Sequence, residues 1–353
     1  ALIVEGEIDE PDSHRMCEPL EPSLPNALGI LQVALGPSYS CALSVDGTAR
    51  CWGENESGAL GNGSHTDSSI PVEVVGLSDA VKIVAGGHES AGISCALRRD
   101  GSVWCWGDVE DEVTHQWKSR PLPVRMEGLA NIDDIAIGGW SACAISDEAG
   151  VQCFEIFQSR PTPEVLPADT EEIAMSRDQI CARSPGGTIE CVSISEGEEV
   201  PAPPELEGAI QIAAGELHFC ARSRDALVCW GSDESRQLEP TTPVECGDSL
   251  ALGDHMSCQR TLDGQLYCWG SNTFGKLGQD DVQYEGGFDG SGADAGPVSG
   301  LAGVLQADVG LNHVCAVTTD GLFCWGANHH GQLGAGSTVE TSKVPLPVAW
   351  SPP

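Results

Sequence analysis

Apolar and polar residues alternate along this chain in short runs, and no run continues far enough to make a long helix. In "SVWCWG" (102–107), Val103 and Cys105 fall on one face while Trp104 and Trp106 fall on the other. That two-residue period is the signature of a strand. An Asp100-Gly101 turn precedes the run, and "GISCALRR" leads into the turn as its antiparallel partner. "AVKIVAGG" comes earlier as another strand, and a proline-containing stretch near "LPVRME" follows. The pattern predicts units of four short strands.

The unit recurs. Its first cysteines are Cys41, Cys95, Cys143, Cys181, Cys220, Cys258 and Cys315, and their partners are Cys51, Cys105, Cys153, Cys191, Cys229, Cys268 and Cys324. The separation is ten residues in five copies and nine in the copies starting at Cys220 and Cys315, and copies return every 38 to 57 residues. Such a period belongs to propeller blades and solenoid coils. The fuller copies also share a Cys-Trp-Gly ending and a tail: "NESGALG", "NTFGKLG", "NHHGQLG". Copies three and four, "GVQCFEI" and "GTIECVS", keep the second cysteine without the Trp-Gly.

The spacing carries a geometry. If Cys41 faces Cys51 across a hairpin, the loop is Val45-Asp46-Gly47, which suits a type I turn closed by a left-handed glycine. The nine-residue copies need an even loop, Thr318 to Gly321 in copy seven. Both parities leave the cysteines opposed, so seven intra-repeat disulfides are expected, each contributing about 2–3 kcal/mol through loop closure. Structural zinc would want short Cys-x₂₋₄-Cys knuckles, and a redox site Cys-x-x-Cys; none of these pairs has either spacing. Cys17 and Cys246 remain and are expected to pair with each other. Four-stranded units in seven copies fit radial closure, which protects the sheet edges; a parallel β-helix fits less well because its coils hold no tight hairpin.

The pattern "CAL…DG…CWG.N..G.LG.G" resembles the regulator of chromosome condensation family, over roughly residues 28 to 349. With its cysteines, the chain resembles a secreted, disulfide-rich member of bacterial type. The resemblance implies an all-β, seven-bladed propeller with four-stranded blades, spanning 28–353, after an extended segment 1–27. It also implies that one blade mixes strands from both termini, bringing "LGILQVALG" beside "VPLPVAW".

Charge narrows the function. The chain has 53 acidic and 17 basic residues, a net charge of −36. Nucleic acid and anionic lipid both require a basic footprint, so neither is an expected partner. No apolar run is long enough to span a membrane. The opening "ALIVEGEIDEPDSH" does not read as a signal peptide, and the even complement of 16 cysteines points to an oxidising compartment. An extracellular, cell-surface or periplasmic protein with its signal peptide removed is therefore expected.

Candidate chemistry is sparse. The recurrent glycines read as turn residues, and the tryptophans at 52, 106, 230, 269 and 325 as packing between blades. His88, His218, His255 and His313 fall near the start of the second strand in their copies and read as local hydrogen-bonding groups. No catalytic motif stands out, so no enzyme activity and no cofactor are expected. The repeat breaks at two places. The insertion after copy six (279–297) holds Asp280, Asp281, Asp289 and Asp294, a weak calcium pattern, with Tyr284 and Phe288 as contact residues. The stretch 108–120 replaces the tail of copy two and offers Trp117, Lys118 and Arg120 for partner binding.

The expected function is a non-catalytic scaffold recognising a protein or glycan through propeller-face loops. An inhibitor is the nearest alternative, because secreted β-lactamase-inhibitor proteins use the fold that the resemblance implies. A hydrolase or lyase at the channel mouth is another. Nucleotide exchange on a small GTPase, also implied by the resemblance, conflicts with the acidity, the cysteine pairs and the missing basic tail.

Overall fold

A computed structural model describes residues 26, 28–88, 91–110, 117–139, 141–155, 166–167, 169–177, 179–194, 199–200, 208–224, 226–238, 247–279 and 293–350. Its strands form seven antiparallel sheets in chain order. The first is Ile30–Leu35, Tyr39–Ser44, Ala49–Gly53 and Ser68–Glu73, each strand paired with the next. The others begin at Ala80, Asp134, Glu172, Gln211, Gly247 and Val304. Five sheets show four strands. The third and fifth show three, and 156–165 and 239–246, where a fourth would fall, lie outside the described residues. The innermost strands touch one another in ring order, and that of the first blade also touches that of the seventh. This closes a seven-bladed propeller.

Closure differs from the expectation of a mixed blade. Ile30–Leu35 pairs with its own hairpin in the first sheet, and Thr341–Pro347 is the outer strand of the seventh. The two termini meet instead by packing, with Ile30, Val33 and Trp52 against Cys315, Leu322 and Val348 in one buried cluster. The chain has sequence for complete terminal blades, so no strand needs to be exchanged.

Each hairpin follows its local sequence. Cys41 stands opposite Cys51, and the other six pairs are likewise in register. All seven are disulfide-bonded, with Cα separations of 3.9 to 4.1 Å. So short a distance belongs to the non-hydrogen-bonded positions of an antiparallel ladder, where side chains come closest. In the first turn Gly47 has φ 81°, while the Asp46 carboxylate accepts from Thr48 N at 3.0 Å and Thr48 Oγ1 at 2.7 Å. Cys17 and Cys246 lie outside the described residues.

The disulfide and the tryptophan of one hairpin face opposite ways, as the strand period dictates. Cys41 and Cys51 therefore pack with Trp106 of the second blade, and Cys258 and Cys268 with Trp325 of the seventh. Cys315 and Cys324 close the circle against Trp52. Each of these three junctions thus stacks a covalent staple on a buried indole. Truncating such a tryptophan costs about 3–5 kcal/mol. In the worn fourth copy Val192 occupies the tryptophan position and packs with Cys143 and Cys153.

The repeated tail explains its own composition. Asn55, Asn272 and Asn328 each accept, through Oδ1, the backbone N–H of a leucine five residues on, at 3.0 to 3.1 Å. The loop so formed drives Leu60, Leu277 and Leu333 into the core. Gly61 then lies against the next indole: a Cβ there would stand 2.8 Å from Trp106 Nε1.

Candidate interaction surface

The buried polar residues that might have carried chemistry are consumed in joining blades. Trp52 Nε1 donates to Gln332 O at 2.8 Å, Trp106 to Ala59 O at 2.7 Å, Trp269 to Gln237 O at 2.9 Å and Trp325 to Lys276 O at 2.8 Å. Every acceptor is the residue before the tail leucine of the preceding blade. The same carbonyls of Gln332, Ala59 and Gln237 also accept from Ser40, Ser94 and Ser257. Those serines reach a ring or phenol of the preceding blade: His313 Nε2 at 2.8 Å, Tyr39 OH at 3.0 Å and His218 Nε2 at 2.9 Å. Burial pushes both histidines down to about 3, so they stay neutral, and it pushes the Tyr39 phenol well above its ordinary value. The reading of His218 and His313 as hydrogen-bonding groups holds. His88 ends the innermost strand of its blade, three residues before the second begins.

Lys276 is fully buried beside this network, and its Nζ donates to Asp254 O at 2.7 Å and Leu311 O at 3.1 Å. Desolvation lowers it to about 8. It ties the sixth blade to the turn between the first two strands of the seventh.

The wall of the central channel is stitched by side chains of the innermost strands. The Gln32 amide bonds both the N–H and the C=O of Ile83, at 3.1 and 2.9 Å. Gln306 does the same to Val33, at 2.8 and 3.2 Å. Each amide thereby copies a strand pairing across a blade junction. Glu172, pushed up chiefly by burial, accepts from Ile212 N at 3.1 Å and from its own blade's Arg183 at 2.9 Å. Lys82 pairs with Asp134 across the second and third blades. Asp308 accepts from Leu35 N at 2.7 Å, and desolvation raises its carboxyl to about 7.

The residues singled out from sequence do not converge. Lys118 and Arg120 lie on the outer strand Trp117–Arg125 of the second blade, opposite Val109 and Gly107. Trp117 begins that strand. Asp294 starts the far side of the insertion and is exposed, 3.8 Å from Arg236 Nη1. Asp280, Asp281, Tyr284, Phe288 and Asp289 lie outside the described residues. Among the described residues no group of three His, Cys, Asp or Glu is placed to hold a metal, and no helix is long and apolar enough to cross a membrane. Sequence reasoning missed the serine–carbonyl–indole junction, although its signal is visible as Ser-Cys at Ser40-Cys41, Ser94-Cys95 and Ser257-Cys258.

Two family models described as the regulator of chromosome condensation (RCC1) repeat match the chain, one at residues 46–93 and 320–352, the other at 30–59, 248–276 and 304–332. The ultraviolet-B receptor UVR8 of Arabidopsis thaliana is 25% identical over 88% of this chain and 68% of its own length. Protein pim1 of Schizosaccharomyces pombe is 24% identical over 90% of this chain, which spans 62% of that protein. The ectodomain of the Arabidopsis thaliana receptor kinase ACR4 superposes with a TM-score of 0.55 at 18% identity, over 84% of this chain and 95% of that one. The matched segments lie in blades one, two, six and seven, and the tail and the Cys-Trp-Gly ending are both intact in the first, sixth and seventh. The chain is a seven-bladed propeller with regulator of chromosome condensation repeats matched in those four blades.

Proposed function

We propose that this chain is a non-catalytic interaction scaffold, secreted or displayed at a cell surface, that recognises a protein or glycan through its propeller faces. One observation carries the reading: the buried His218, His313, Tyr39 and Lys276 are each engaged in junction bonds. Groups so committed, two of them held neutral far below the physiological range, are poor acids, bases or nucleophiles. Function then falls to the exposed loops that the rigid frame presents. Seven disulfides support an oxidising compartment. The ACR4 ectodomain is a use of the same fold that its name places outside the cell.

The test uses the intact, disulfide-bonded protein. Immobilised chain is expected to retain a partner saturably from the extracellular or envelope fraction of its source, while showing no turnover on hydrolase and lyase substrate panels. Turnover that follows the purified chain would overturn the reading. A thiol titration of freshly isolated, denatured protein is expected to find none reactive, and 16 reactive thiols would overturn the compartment.

A further inference from the structure

The channel mouth on the hairpin-turn side carries two unlike arcs over its first four blades, and the equivalent position of the fifth, Ile210, is again aliphatic and exposed. On the first and second blades it exposes aliphatic residues: Leu31 is 49% exposed, Val45 48% and Val81 43%. They are held together by backbone. Val45 N donates to Gly29 O at 2.8 Å and Ala80 N to Gly47 O at 3.1 Å, so the turn carrying Val45 is pinned between the strand starts carrying Leu31 and Val81. The double bond of Gln32 to Ile83 fixes those two strands side by side. On the third and fourth blades the positions equivalent to Leu31 and Val81 are Asp133 and Glu171, both exposed, and the adjoining turn adds Asp147 and Glu148. Asp147 N donates to Asp133 Oδ2 at 3.2 Å, which places that turn at the mouth.

Two of the bases nearest this arc are already committed, and a third, Arg99, is exposed in the turn between Val81 and Asp133. Lys82 is paired with Asp134, and Arg183 is shared between Glu172 at 2.9 Å and Glu171 at 3.2 Å. An aliphatic arc beside an acidic arc is the complement of a segment with apolar residues on one side and cations on the other. We propose that the turn-side mouth of the channel docks a cationic amphipathic segment of a partner protein. Its apolar side covers Leu31, Val45 and Val81, and its basic side meets Asp133, Glu148 and Glu171. The chain's net charge of −36 adds long-range attraction for such a partner and opposes nucleic acid at the same surface. This inference rests on the scaffold reading and names the chemistry of its partner.

The test measures fluorescence anisotropy of a labelled lysine/leucine peptide, with the two residue types on opposite faces of a helix, against the full chain. Saturable binding is expected, weakening with salt, with no binding of the glutamate/leucine counterpart. Asp133→Lys with Glu148→Lys is expected to weaken it about tenfold or more, as for close charge pairs at interfaces. The control Glu73→Lys with Glu340→Lys makes the same change in net charge at exposed outer positions and is expected to have little effect. Leu31→Ser with Val81→Ser tests the apolar half should the charge variant fail to fold. Absence of saturable binding, or equal losses in mouth and control variants, would overturn the proposal. So would binding that emerges only when residues 1–25 are removed, which would assign the mouth to the chain's own leading segment. Each of these failures leaves the scaffold reading standing, because partner capture tests that separately.

Discussion

One position after another in the repeat can be compared across seven blades, and the fifth blade contains an electrostatic pair with one half missing. Two residues after the first disulfide cysteine stand Leu43, Leu97, Ile145, Arg183, Arg222, Arg260 and Val317. The three arginines occupy consecutive blades. Arg183 is opposed by Glu172 on the neighbouring strand, and Arg260 is held by Asp248. Arg222 is opposed by Gln211. Its Nη2 donates to Asp248 O at 3.0 Å, while its buried Nε and the buried Gln211 Oε1 have no hydrogen-bond partner among the described residues. Gln211→Glu should complete the pair with the geometry already present in the fourth blade.

A charge-assisted hydrogen bond at such a site is worth about 1.5–3 kcal/mol. Two effects reduce it: the carboxylate must lose water in a half-buried place, and it joins Asp248 and Glu172, which already act on Arg222. A net gain of about 1 kcal/mol follows, or roughly 1–2 °C in a chain of this size. Equilibrium urea unfolding of the wild type, Gln211→Glu, Arg222→Gln and the double variant would give the coupling free energy directly. A coupling of zero between the two positions would refute the reasoning.

The junction network and the channel wall make two further predictions. Trp269→Phe removes a bond of 2.9 Å to Gln237 O and is expected to cost about 2–3 kcal/mol, whereas Trp230→Phe is expected to cost less than half of that. Trp230 is half-buried, stacks on Phe219 with centroids 5.6 Å apart, and its Nε1 has no partner among the described residues; equal losses on urea unfolding would contradict the role given to the tail carbonyl. Asp308 has a folded value of about 7, above its unfolded one, so its contribution is full below pH 4 and disappears as pH rises through 7. Asp308→Asn should match the wild type near pH 4, exceed it by up to about 4 kcal/mol at pH 8, and flatten the stability profile between them; parallel profiles would show that the carboxyl is not raised.

How much of this was legible depends on how far apart in sequence the cooperating residues stand. The hairpin was readable because Cys41, the Asp46-Gly47 turn and Cys51 lie within one local ladder, where ten residues and a left-handed glycine leave little freedom. The junctions were not, because Ser40 meets Gln332 at the opposite end of the chain, and only the recurring Ser-Cys hints at the contact. Nor does spacing reveal that a lysine in a motif such as "GKLG" is fully buried, since Asp254 O and Leu311 O, its acceptors, are backbone groups present at every residue.

The histidines show the same limit from another side. Read as a set of four they vary in offset, but His218 and His313 both stand two before a cysteine, where Tyr39 stands in the first blade. What unites them is a donor or acceptor presented to the next blade's serine, and imidazole and phenol serve equally. Where that serine becomes Val314, the preceding blade offers the apolar Met256 at the same position, and the junction turns dry. Polar and apolar solutions thus both occur around one ring. A repeat built this way tolerates exchange at its junctions as long as both partners change, and its exposed mouth is free of that constraint.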